Sequence, residues 1–173
     1  NWKNCPGITS STKILGLQDN GATKCVLSLN ADLQISRWNV EGSNSKDMTF
    51  DFSPYTFFGS GTCNAANRNG NRLLLKSGTL KCGTLTMVGT DGGMRDNVFL
   101  AQGEDSHVLF STFVMSRGTN NLFCVCSGAS FENYGVTPYE MSLFDDTAVP
   151  SYRNVFCISN ATMRNIGSIR LAG

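Results

Sequence analysis

Cys124 and Cys126 stand two residues apart in the segment TNNLFCVCSGAS. Such a pair has the chemistry to bind a metal, to exchange a disulfide or to anchor two disulfides. Zinc sites normally bring CxxC pairs or a cysteine and histidine combination, which this pattern does not provide. Thioredoxin-type motifs place CxxC at a helix N-terminus, whereas this CxC lies in an extended segment. Residues i and i+2 of a strand share a face, so each thiol can reach a different neighbouring element. We therefore predict structural disulfides.

The cysteines are spread along the chain, and all of them are disulfide candidates: Cys5, Cys25, Cys63, Cys82, Cys124, Cys126 and Cys157. Seven is odd, so three bridges leave one cysteine free or paired between chains. Seven cysteines, 18 glycines and one histidine are typical of a secreted protein, which predicts a secreted or extracellular-surface location.

The sequence contains only weak matches to known arrangements of catalytic residues. Asp105, Ser106 and His107 are the residue types of a hydrolase triad, but neighbours in a strand point to opposite faces and cannot converge. A glycosidase needs two carboxylates across a cleft, and Asp51, the most suggestive acid, alternates with phenylalanines as an outward polar residue does. We therefore predict no catalytic residues and no enzyme, although a secreted glycoside-acting enzyme remains an alternative.

Two glycine-rich segments raise the question of bound ions or nucleotides. TDGGMRDN (90–97) does not match a calcium-loop pattern and is typical of a turn. GSGTCNAANRNGNR (59–72) lacks the lysine that a phosphate-binding loop requires. Neither segment predicts a metal or a cofactor.

The loops at 62–72 and 89–97 instead predict a recognition surface. Amide and guanidinium groups make directional hydrogen bonds to hydroxyls and carboxylates, and loops on a rigid β-scaffold commonly carry such surfaces. The candidate ligand-binding residues are Asn67, Arg68, Asn69, Asn71, Arg72, Asp91 and Arg95. Trp38 and Tyr55 offer stacking faces to a sugar if exposed, but we assign Trp38 to the core.

Asn160-Ala161-Thr162 is the single N-x-[ST] sequon. It follows a predicted strand at 155–159, so Asn160 is a candidate glycosylation site.

The secondary-structure elements that must position the candidate functional residues are predicted to be strands. Short apolar segments with period two recur about every ten residues, as in CVLSLNADLQI (25–35) and MTFDFSPYTFF (48–58). Asn20-Gly21, Asn69-Gly70, Asp91-Gly92-Gly93 and Gly118-Thr119-Asn120 separate them and permit the positive φ angles of tight hairpins. No dozen residues carry uninterrupted helical spacing.

These signals predict one all-β, disulfide-stabilised domain over residues 1–173. Its expected form is an antiparallel β-sandwich, of jelly-roll or immunoglobulin/lectin-like type, with about 8–10 short strands; a closed β-barrel is the alternative. The echo of Gly78-Thr79-Leu80 in Gly83-Thr84-Leu85 is interpreted as chance.

Composition narrows the function. The chain is 40% hydrophobic and 16% charged with net charge +1, which argues against nucleic acid and anionic membrane surfaces. No apolar run approaches the ~18 residues that span a bilayer. Asn1 is expected to be a processed or truncated start, since neither an initiating Met nor a signal peptide is present.

Two further function classes stand beside the enzyme. The first is an extracellular recognition or adhesion module that binds a glycan or protein, as a subunit of a larger assembly or a homo-oligomer, including one joined by an intermolecular disulfide. The second is a lipocalin-like barrel that carries a small apolar ligand, with the eleven phenylalanines as its lining. The glycine-x-tryptophan signature of lipocalins is missing, and the same phenylalanines can fill a sandwich core. The recognition module is the prediction.

Overall fold

A computed structural model describes residues 14–18, 24–41, 47–65, 70–88, 95–116, 118–134, 140–143, 153–165 and 168–171. They form the strands β1 (Ile14–Gln18), β2 (Lys24–Ser28), β3 (Leu33–Ile35), β4 (Arg37–Glu41), β5 (Asp47–Asn64), β6 (Arg72–Val88), β7 (Val98–Gln102), β8 (Ser106–Ser116), β9 (Leu122–Cys126), β10 (Ser130–Asn133), β11 (Glu140–Leu143), β12 (Val155–Ser159), β13 (Thr162–Arg164) and β14 (Ser168–Leu171).

The strands pair in parallel and stack as the rungs of a β-solenoid. One register runs from Met48 to Leu73, Phe99, Phe123 and Phe156 on successive rungs. The all-β prediction is therefore confirmed, but the antiparallel sandwich and the closed barrel are both wrong. The expectation of short strands also fails for β5 and β6, which run for 18 and 17 residues.

Each rung contributes to three faces. Face A contains β2, residues 47–51 of β5, residues 72–77 of β6, β7, β9 and β12. Face B contains β3, the middle of β5 and β6, the first half of β8, β10 and β13. Face C contains β1, β4, the ends of β5, β6 and β8, β11 and β14.

Aromatic side chains from the three faces fill the interior. Phe99 and Phe123 stack with centroids 4.5 Å apart, and Phe123 also contacts Phe113 (4.7 Å) and Phe131 (5.2 Å). Trp38 is fully buried, which confirms its assignment to the core. The carrier hypothesis needed a barrel around a ligand, whereas these rings occupy the centre of the solenoid.

The corner that leads into face A has the same local structure on successive rungs. Gly70, Asp96, Asn120 and Arg153 each adopt a positive φ between 53° and 70°. The residue that follows each of them is an asparagine: Asn71, Asn97, Asn121 and Asn154. The strand begins at the next residue.

These four asparagines, the asparagine ladder, bond to one another along the solenoid. The backbone N–H of Asn71 donates to Oδ1 of Asn97 (2.8 Å), and that of Asn97 donates to Oδ1 of Asn121 (3.1 Å). The backbone N–H of Asn121 donates to Oδ1 of Asn154 (3.0 Å). The ladder thus satisfies polar groups that the turn would otherwise bury without partners.

The hairpin predictions are wrong where the structure tests them. Gly70 and the segment Gly118-Thr119-Asn120 lie at corners between parallel strands, not in antiparallel turns. Asn20-Gly21, Asn69 and Asp91-Gly92-Gly93 lie outside the described residues. A solenoid corner and a hairpin both require positive φ, so the same residue types favour both.

Candidate binding surface

The outward side of face A carries apolar side chains on consecutive rungs. Leu74, Leu100, Cys124 and Cys157 form one column by register. A second column contains Val98, Leu122 and Val155, of which Val155 is 49% exposed. Val26, on β2 at the first rung, is 44% exposed. The apolar residues between these two, among them Leu74, Leu100 and Leu122, are half-buried. Partly accessible apolar side chains on consecutive rungs are typical of an interaction site.

The outward sides of the other two faces are more polar. Face C presents a threonine column, Thr62, Thr84 and Thr112. Face B presents a column of mixed character, Phe58, Lys81, Leu109 and Glu132. The ammonium of Lys81 lies over the rings of Phe58 (4.8 Å) and Tyr134 (4.4 Å). The apolar character is therefore concentrated on face A.

The sequence contains a signal for this difference between the faces. A search for strictly alternating polar and apolar residues does not detect it. The face A strands read as nearly continuous apolar runs, such as Leu73–Leu75, Val98–Ala101 and Leu122–Cys126. Continuous runs are typical of parallel strands that are covered on both sides. Here the inward side is buried by the core, and the outward side remains partly accessible.

A pocket of about 340 Å³ opens at the same face. Thr49, Arg72, Leu74, Val98 and Leu100 contribute to its lining. Its size is at the lower end of small-ligand sites and also suits one or two apolar side chains of a partner. Arg72 is exposed and places a positive charge at its rim.

The structure separates the predicted ligand-binding residues. Arg72 and Arg95 are exposed, Arg72 at the pocket and Arg95 at the corner where it bridges Thr119. Asn71 is 1% exposed and belongs to the asparagine ladder, where it supports the fold and does not face solvent. The remaining candidates, Asn67, Arg68, Asn69 and Asp91, lie outside the described residues.

The described cysteine thiols are free in this structure and fall into two groups. Cys63 and Cys82 are fully buried in the core, where desolvation raises the pKa of Cys82. Cys124, Cys126 and Cys157 lie on the outward side of face A and are partly exposed. Cys5 lies outside the described residues, as does the side chain of Cys25.

The pair Cys124 and Cys157 occupies one register position on adjacent strands. Burial raises the pKa of the Cys124 thiol to about 12, and its hydrogen bond with Cys157 and the proximity of the Cys126 sulfur act in the same direction. At neutral pH Cys124 is therefore held as a protonated thiol.

The Asp105, Ser106 and His107 segment does not form a triad. Ser106 is buried and its hydroxyl donates to the carbonyl oxygens of Gln102 (2.7 Å) and Leu75 (3.2 Å). The Nδ1 atom of His107 instead lies 3.0 Å from the hydroxyl of Ser130 on the adjacent rung. This contact joins β8 to β10.

Asp51 lies outward on face A, as the alternation predicts. Its carboxylate accepts a hydrogen bond from the Ser77 hydroxyl and lies 3.5 Å from the ammonium of Lys76. The Ser77 hydrogen bond, with the nearby Lys76 charge, lowers the pKa of Asp51 against a smaller opposing effect of burial. The group is a paired surface carboxylate.

Asn160 is exposed at a corner directly after β12, with φ of 48°. The strand predicted at 155–159 matches β12, so the sequon lies where we expected it. Its glycosylation stays a prediction.

Within the described ranges, no three or more His, Cys, Asp or Glu side chains are grouped to hold a metal ion. The same residues contain no helix that is long and apolar enough to cross a membrane.

Comparison of the chain with protein-family models, with curated proteins and with solved structures found no match.

Proposed function

We propose that this chain is an extracellular recognition and assembly module without catalytic activity, and that face A is the surface through which it binds a second copy of itself. The observation that carries this proposal is the apolar outward side of face A, set against the more polar outward sides of faces B and C. The extracellular location rests on the cysteine-rich composition.

Sheet geometry favours a second copy as the partner. Parallel strands in register give a regular surface, and two such surfaces pack face to face with about 10 Å between sheets. A two-fold axis brings the same patch of both copies together, so one apolar face is sufficient for a dimer. Apolar side chains such as Leu74, Leu100 and Leu122 then leave water on association.

The test introduces charge on this face. Leu74 and Leu100 are register neighbours on β6 and β7, and both point outward. The double variant Leu74→Lys with Leu100→Lys is expected to weaken self-association at least about tenfold, because burying two ammonium groups is costly. Analytical ultracentrifugation over a concentration series measures the dissociation constant.

The matched control is Thr84→Lys with Thr112→Lys, two register neighbours that point outward on face C. This variant adds the same charge at the same spacing and is expected to associate as the unmodified chain does. A chain that stays monomeric throughout the series, or equal weakening in both double variants, would refute face A as the self-association surface.

A further inference from the structure

Cys124 and Cys157 are brought together only by the solenoid. They are 33 residues apart in the sequence, yet they share a register position on β9 and β12. Adjacent parallel strands lie about 4.8 Å apart. Disulfides require Cα atoms about 4.4–6.8 Å apart, so the strand spacing falls within that range.

Both side chains point to the same side. Their neighbours Phe123 and Val125 on β9 are fully buried, and Phe156 and Ile158 on β12 pack against the core. Alternation along each strand therefore directs the thiols of Cys124 and Cys157 outward, and both are partly exposed. A small dissolved oxidant can reach them.

Cys126 is not equivalent to these two. It also lies outward, but its register partners are Gln102 and Ser159, neither of which carries a thiol. A bond between Cys124 and Cys126 would have to join residues i and i+2 of one extended strand, about 6.6–6.8 Å apart and at the limit of disulfide geometry.

We propose that Cys124 and Cys157 are a dithiol site that low-molecular-weight disulfides, such as oxidised glutathione, convert into a disulfide between adjacent rungs.

The exchange occurs in two displacements. The Cys157 thiolate attacks one sulfur of oxidised glutathione, a Cys157–glutathione bond forms, and the first glutathione leaves as a thiolate. The Cys124 thiolate then attacks the Cys157 sulfur and releases the second glutathione. Two electrons pass from the cysteines to the oxidant, and the two cysteine protons end on the two glutathione thiols.

The order of attack follows from the environment of Cys124. The raised pKa of Cys124 disfavours it as the initial nucleophile, and it lies between strands β7 and β12. Cys157, on the last described strand of face A, therefore attacks first. Once Cys157 carries glutathione, its sulfur no longer interacts with Cys124 as a thiol or thiolate, and that contribution to the raised pKa of Cys124 is removed. The second displacement is thereby facilitated.

The Cys124–Cys157 disulfide would link β12, the last described strand of face A, covalently to β9. β12 pairs with β9, and Val155 at its start is 49% exposed. A link from Cys157 to Cys124 anchors β12 to the more deeply buried β9. Because the two thiols share a column with Leu74 and Leu100, the exchange takes place in the dissociated chain, at protein concentrations where face A is uncovered. A failure of self-association would leave this inference standing, since it requires only the two thiols and an oxidant.

The test titrates the full chain with glutathione buffers from reducing to oxidising, followed by alkylation of free thiols and peptide mass spectrometry without reduction. We expect one linked pair of peptides that joins Cys124 to Cys157, with a higher melting temperature at the oxidising end. Cys124 and Cys157 alkylated as free thiols at the oxidising end, a stable glutathione adduct on Cys157, or a different linked pair would overturn the proposal.

Single serine variants give the matched comparison. Cys126→Ser is expected to retain the 124–157 link and its midpoint potential. Cys124→Ser is expected to lose the link and to accumulate glutathione on Cys157. The unmodified chain provides the decisive measurement even if one variant folds poorly.

Discussion

The side-chain oxygen of Asn121 accepts two hydrogen bonds from Asn97, one from its backbone N–H (3.1 Å) and one from its Nδ2 (3.0 Å). Asn121 repeats the pattern with Asn154, at 3.0 and 2.9 Å. Asn71, Asn97 and Asn121 are at most 1% exposed, so these bonds are shielded from water. The ladder therefore joins consecutive corners through buried polar contacts.

Asn97→Ala is expected to lower the free energy of unfolding by about 1–3 kcal/mol, because the buried backbone N–H of Asn71 loses its acceptor. Urea denaturation followed by circular dichroism measures the change. The control Asn30→Ala changes an exposed asparagine and should stay within about 0.5 kcal/mol. Similar losses in both variants would mean that the ladder contributes little.

Alanine substitutions at two glycines distinguish the cost of steric overlap from the cost of backbone strain. Gly78 (φ 82°) has the backbone of Phe52 and Ser53 within 2.6 Å of the position that a Cβ would occupy, whereas at Gly103 (φ 93°) the nearest atom is 3.8 Å away. Gly103→Ala is expected to cost about 1–2 kcal/mol from strain alone. Gly78→Ala is expected to cost about 3 kcal/mol or more. Equal destabilisation in thermal unfolding would contradict this account.

The Asp51–Ser77 hydrogen bond predicts a pH dependence. Because the pKa of Asp51 is lowered in the folded state, its contribution is fully present above about pH 4, the ordinary aspartate pKa, and is lost as pH falls through the lowered value. Ser77→Ala should cost no more than about 1 kcal/mol at pH 7, since the pair is solvent-screened. Urea denaturation of the unmodified chain and of Ser77→Ala should show a difference in the free energy of unfolding at pH 7 but not at pH 2. A difference that persists at pH 2 would point to packing at Ser77.

Phe123 occupies the centre of the aromatic core and is fully buried. Phe123→Ala is expected to cost about 3–5 kcal/mol, since it removes ring contacts to several rungs and leaves a cavity. Phe58→Ala is the comparison, because Phe58 points outward under Lys81 and should cost less than about 2 kcal/mol. Unfolding curves in guanidinium measure both, and an equal cost would argue against a core centred on Phe123.

Part of the candidate site was accessible from the sequence. The outward position of Asp51, the burial of Trp38 and the location of Asn160 after a strand follow from local alternation and turn chemistry. The role of Asn71 does not, because an asparagine beside a glycine is typical of an exposed turn. Its burial depends on Asn97, which is 26 residues away.

The sequence by itself determined that the chain is all-β, with apolar side chains on the inner side of each strand, and that its turns need positive φ. It also contains a repeat that the local echo at Gly78 does not reveal: an asparagine followed by a nearly continuous apolar strand, at 71, 97, 121 and 154. Those asparagines are separated by 26, 24 and 33 residues, and this uneven spacing hides the period.

Only the tertiary structure decided that neighbouring strands are parallel. Each strand buries the same side chains in either orientation, and the same glycine and asparagine residues permit either turn, so local preference does not distinguish the two. The choice depends on contacts between rungs: the asparagine ladder, the stacked rings of Phe99 and Phe123, and their shared register. The pairing of Cys124 with Cys157 and the apolar outward side of face A arise from that same register.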